Sequence, residues 1–146
     1  MDPQPAPSFN KDAALGYLFL RATLGLNIFM HGMMRLLAGP AAFTANLVQL
    51  FQATPLPSGM VSAFAYALPW AEAVVGLLLL LGAVTRFALC AGALLIFVLT
   101  FGTTLRQDWQ VAGLQLMYAA IYAALLGFRE HNAFSVDAIW SRKKQS

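Results

Sequence analysis

Apolar residues dominate four stretches of this chain, at about 13–37, 60–82, 86–105 and 109–128, and polar residues gather between them. Each stretch reaches the roughly 20 residues that a helix needs to cross a hydrocarbon core. The second and third are joined only by Gly82-Ala83-Val84-Thr85, and the third and fourth meet near Gln107 and Asp108. Connections this short predict antiparallel neighbours. The first connection, 38–59, is longer and reads differently. Gly39-Pro40, Pro55 and Pro57 frame a segment in which Phe43, Leu47, Leu50 and Phe51 recur at helical spacing. Thr44, Asn46, Gln49 and Gln52 take the other positions, so the segment predicts a short amphipathic helix lying on the membrane surface. The pattern as a whole predicts an all-α, integral membrane four-helix bundle.

The flanks are read more simply. Residues 1–12 contain Pro3, Pro5 and Pro7 and predict a poorly ordered tail. No basic n-region and no small-residue cleavage site mark them as a secretory signal, so the tail is expected to be retained. Residues 129–146 form a basic tail in which Phe134, Val136, Ile139 and Trp140 predict a second interfacial segment. Small residues repeat every four positions in the later helices: Ala63, Ala67 and Ala71, then Ala88 and Gly92, then Ala119, Ala123 and Gly127. Such stripes let membrane helices approach closely.

Composition narrows the class. Of the 146 residues, 60% are hydrophobic and only 10% charged, against about 25% charged in soluble domains. No water-soluble surface can be built from this mixture, and the length leaves no room for a separate soluble domain. The net charge of +3 matters less than its placement. Lys11, Arg86, Arg129, Arg142, Lys143 and Lys144 fall on the side of the termini, against Arg35 and Arg106 on the other. By the positive-inside rule both termini are cytoplasmic. The same distribution gives no footprint for nucleic acid. Cys90 stands alone inside an apolar run and is expected to be a small buried hydrophobe.

Arg21, His31, Arg35 and Glu72 interrupt the apolar runs. A charge at bilayer depth costs roughly 2.5–3.5 kcal/mol on insertion scales, so such residues face a bundle interior or wet cavity and pair there. Arg21, His31 and Arg35 share one broad face of the first helix, beside Gly25 and Gly32. Counting residues from the helix ends puts Arg21 and Glu72 at similar depth and predicts an ion pair between them. Pro69 predicts a bend just before Glu72. The fourth helix offers Gln115, Tyr118 and Tyr122 at helical spacing. Together His31, Arg35, Glu72, Trp70, Gln115 and Tyr118 define a candidate pocket in the outer half of the bundle. Its donors and aromatic walls suit a quinone head group, with Glu72 and His31 as candidate proton carriers and Arg21, Arg35, Trp70, Gln115 and Tyr118 as candidate binding groups. The alternative is a polar core in which the same charges only fix helix register.

Other chemistries are not expected of this chain. His31 and His131 lie at different depths, so no bis-histidine haem is predicted, and neither an iron–sulfur nor a metal cluster has its ligands here. An electron must therefore come from a partner or a bound cofactor.

The motifs Arg21-x-x-x-Gly25, His31-Gly32-x-x-Arg35, Glu72-x-x-x-Gly76 and Gly82-x-x-x-Arg86, in that order and spacing, resemble the DoxX family over about 15–126. The stretch from Leu105 through Asp108-Trp109 to Gln115 and Tyr118 is similar to the DoxD-like branch, which includes the membrane subunit of thiosulfate:quinone oxidoreductase. The resemblance implies a four-helix bundle in the inner (cytoplasmic) membrane, linked to quinone or sulfur redox chemistry. It implies a protein partner or a homo-oligomer, with a small sulfur compound or another reductant oxidised on the partner. Two other functions compete: a non-catalytic scaffold or assembly factor, and, behind it, a small-anion carrier using Arg21 and Arg35.

Overall fold

The computed structural model describes residues 10–144. Residues 1–9, most of the predicted N-terminal tail, and 145–146 lie outside the described residues. The chain forms α1 (Lys11–Leu37), α2 (Pro40–Leu50), α3 (Ser58–Leu81), α4 (Thr85–Leu105) and α5 (Trp109–Gly127). A 3-10 turn at Arg129–His131 and a last helix, α6 (Val136–Lys143), follow. Four of these helices, α1, α3, α4 and α5, are long and apolar enough to cross a membrane. They end within two residues of the expected limits. Phe19, Phe87, Phe97, Leu116 and Met117 are exposed on their outer faces, as helices solvated by lipid require. This is a multi-pass membrane protein.

Local chemistry sets the helix ends. Asn10 caps α1 by accepting from the backbone N–H groups of Asp12 and Ala13, each at 3.1 Å. Gly39 turns the chain with φ of 94°, and Pro40 opens α2 at a position where its missing N–H costs nothing. The Gly39-Pro40 pair is thus the start of α2. Gly82 ends α3 in the left-handed region, with Ala83 N–H bonded to the Leu78 carbonyl and Gly82 N–H to the Leu79 carbonyl. Asp108 caps α5.

The tightest packing joins α1 to α3. A Cβ on Gly32 would collide with the backbone of Pro69 and Ala73, and one on Gly76 with the backbone of Phe29. Gly25 lies against Leu80 N and Gly76 O, where a Cβ would stand 2.7 and 3.0 Å away. Backbones in contact are the membrane solution to packing without a hydrophobic drive. The second close joint is α4 on α5, where the Tyr122 ring fills the space that Gly92 leaves open. Tyr17, Leu24, Ile28, Val75, Leu79, Leu89 and Leu125 complete the core between these pairs.

The alanine stripes divide. Ala88 and Gly92 are buried as expected, but Ala63, Ala67, Ala123 and Gly127 are exposed, and nothing approaches Gly127 within 4 Å. Alanine is at home on a lipid-facing surface, so its spacing alone does not mark a joint. Cys90 also faces outward and is exposed, contrary to the expected burial.

The C-terminal segment does more than rest at an interface. Asp137 receives the backbone N–H groups of Val84 and Thr85, both at 2.7 Å, and so caps the start of α4. Val84 has φ of 42°, a costly conformation for a β-branched residue, and this cap holds it. Asn132 donates to Thr85 Oγ1 at 3.0 Å, and Asp137 N–H to the Gly82 carbonyl at 3.1 Å.

Candidate functional site

The register of α1 against α3 decides which charges meet. Gly25 faces Gly76 and Leu80, and Gly32 faces Pro69 and Ala73. Arg21 is therefore level with the last turn of α3, about 15 Å along the axis from Glu72 at 1.5 Å per residue. The expected Arg21–Glu72 pair does not form. Counting from the helix ends failed because the ends are not flush. The first turns of α1 run past Gly82, and the C-terminal segment lies beside them across a groove.

Arg21 instead closes the end of α3. Its Nη1 donates to the Leu79 carbonyl and, at 3.2 Å, to that of Leu80, while Nη2 donates to the Phe134 carbonyl at 2.9 Å. The Leu79 and Leu80 carbonyls lie at the C-terminus of α3, where a cation is favoured. The side chain is 1% exposed. The hydrogen bonds it donates all go to backbone carbonyls.

Glu72 pairs with Arg35. Arg35 Nη1 donates to both carboxylate oxygens, at 2.6 and 2.5 Å. Phe43 from α2 covers the same guanidinium, 4.6 Å from its ring centroid. Arg35 thus joins α1, α2 and α3. The carboxylate side chain is 7% exposed and the guanidinium side chain 28%. Among the described residues, Arg35 Nη2 and Nε take no protein partner, so these donors face outward.

They face a groove. A cavity of about 900 Å³ runs along α1 and is walled at one end by Ala42, Phe43 and Asn46 of α2. Its polar groups on α1 are Thr23, Asn27, His31 and Arg35, with Leu26, Met30 and Met34 between them. The four polar residues are each four positions apart and form one row along the helix. His31 is exposed to the groove.

The remaining predicted residues lie elsewhere. Trp70 is 55% exposed on the outer face of α3. Gln115 accepts a hydrogen bond from Thr103 at 2.7 Å and ties α5 to α4. Tyr118 donates to Asn27 Oδ1 at 3.1 Å, from a second, smaller cleft between α1 and α5. None of the three lines the α1–α2 groove. They match His31 in depth but not in direction around the bundle. Asn27 and Thr23 were missed, although the four-residue repeat that ends in His31 and Arg35 is plain in the sequence.

The row can donate several hydrogen bonds to a ligand with carbonyl or anionic oxygens. Among the described residues no three His, Cys, Asp or Glu side chains gather to hold a metal ion.

Comparison with known proteins agrees with the motifs. Searches against curated proteins and against solved structures returned no match. The DoxX family model matches residues 16–107, well over half of the chain. The matched stretch holds the glycine contacts of α1 and α3, Arg21, Arg35, Glu72 and the whole groove. On that match the chain belongs to the DoxX family.

Proposed function

We propose that this protein is the membrane subunit of a quinone-linked oxidoreductase and takes a quinone head group into the α1–α2 groove. The observation that carries the reading is the row Thr23–Asn27–His31–Arg35 facing an open groove on a membrane-spanning helix. A ligand arriving from the bilayer needs an apolar body and a few oxygens to be recognised, and the alternation of this row with Leu26, Met30 and Met34 matches that chemistry. Arg35 and His31 would donate to the ring oxygens. A bound quinone would supply a two-electron, two-proton acceptor. His31 is then the proton carrier, and Glu72, held behind Arg35 and barely exposed, fixes the guanidinium in place.

The electrons would come from a partner protein that oxidises a small donor, with thiosulfate the natural first candidate from the DoxD-like resemblance. In this reading the protein sits in an inner membrane with both termini on the cytoplasmic side. Protein purified in mild detergent and extracted with organic solvent should yield close to one quinone per chain, and His31→Ala should yield far less while remaining folded. Folded wild type that holds no quinone, and takes up none when it is added, would overturn the proposal.

One observation favours a second reading, a non-catalytic scaffold. Every hydrogen bond that Arg21 donates goes to a backbone carbonyl, and the Asp137 carboxylate accepts the backbone N–H groups of Val84 and Thr85, so part of the charge in this bundle is architectural. Stable co-purification of a partner with no dependence on quinone would support it.

A further inference from the structure

A second groove lies at the opposite end of the molecule. It has a volume of about 640 Å³ and sits between the first turns of α1, the end of α3 and α6. Its walls are apolar, with Leu15, Leu81, Phe134 and Ile139. Two cations border it, Lys11 from α1 and Arg142 from α6. Both are exposed, and neither forms an ion pair among the described residues. No carboxylate lines it. Asp12 lies in the exposed first turn of α1 outside the lining, and the Asp137 carboxylate is held by the N–H groups of Val84 and Thr85.

We infer that this groove seats one anionic phospholipid, its phosphate between Lys11 and Arg142 and an acyl chain against Leu15, Leu81 and Ile139. Paired cations above an apolar wall, at the end of a membrane-spanning bundle, match a lipid in both its parts. A free phosphate would leave the apolar wall unused, which decides for the lipid. Ile139 and Trp140 are exposed on α6 and keep that helix at the interface where head groups lie. The inference is independent of the quinone reading, because the two grooves share no residue.

The test uses the full chain, reconstituted in phosphatidylcholine vesicles with or without phosphatidylglycerol, released into detergent and weighed by native mass spectrometry. Wild type should retain one phosphatidylglycerol and lose phosphatidylcholine. The double variant Lys11→Gln, Arg142→Gln should retain it roughly 30-fold less, about fivefold for each cation near the surface. Arg86→Gln removes an exposed charge that does not line the groove and should leave retention unchanged. Equal retention of the two lipids, undiminished retention in the double variant, or an equal loss in Arg86→Gln would overturn the inference. So would displacement of the lipid by millimolar inorganic phosphate, which would mean that phosphate alone is recognised.

Discussion

The two arginines that α1 carries into the bundle have opposite surroundings. Arg21 is sealed by backbone carbonyls at the end where α3 stops. Arg35 meets a carboxylate and an aromatic ring at the edge of a groove, and keeps donors free. Carbonyl oxygens of a helix end are fixed by the fold and cannot change partner or protonation. A carboxylate on a neighbouring helix can do both, and an open side admits a ligand. The contrast teaches that a charge within the membrane shows its use through the kind of partner it has, more than through its depth.

The largest effect should come from breaking the sealed end. Arg21→Met keeps much of the volume but strips the carbonyls of Leu79 and Phe134 of a charged donor. At roughly 1.5–3 kcal/mol for each such hydrogen bond, a loss of about 3–6 kcal/mol is expected. Denaturant unfolding in detergent measures it, and quinone retention by the folded fraction should not change.

Breaking the other arginine's partner should cost somewhat less. Glu72→Gln leaves Arg35 unpaired beside the groove. The expected loss is about 3 kcal/mol, the low end for a buried pair, because the guanidinium is partly exposed. Adding Arg35→Gln should recover part of that stability. If the double variant is no more stable than Glu72→Gln, the two side chains are not coupled as described.

Asp137→Ala removes the cap on α4 and should destabilise by about 1–2 kcal/mol. Its mark is local: amide exchange should quicken at Val84 and Thr85 and stay the same around Arg35. The smallest stability effect belongs to His31→Ala, within about 0.5 kcal/mol for an exposed position. That variant sharpens the comparison most, since binding to the groove should fall while unfolding does not move.

Much of this fold was legible in the residues. Twenty-residue apolar runs, two minimal connections and a proline-framed loop led directly to four long helices and a surface helix. That the charges within them needed partners was legible too. Which partners they took was not, because sequence carries no information on how far one helix overhangs its neighbour. That offset sent Arg21 to the carbonyls of α3 and left Glu72 to Arg35. Direction around the bundle was equally hidden for Trp70, Gln115 and Tyr118. The C-terminal segment looked like a surface tail because its stabilising bonds run to Val84, Thr85 and Arg21, more than fifty positions away.

That last arrangement has a consequence for how the molecule is made. A ribosome delivers α1 about a hundred residues before Phe134 and Asp137, and domains begin to form as the chain emerges. Until Phe134 and Asp137 have been synthesised, Arg21 lacks one of its acceptors and the turn at Val84 has no cap. The four spans can insert in order, yet the bundle stays unfinished at one end until the segment after α5 has followed them. A chain cut after Gly127 is therefore expected to reach the membrane and be cleared there as incomplete.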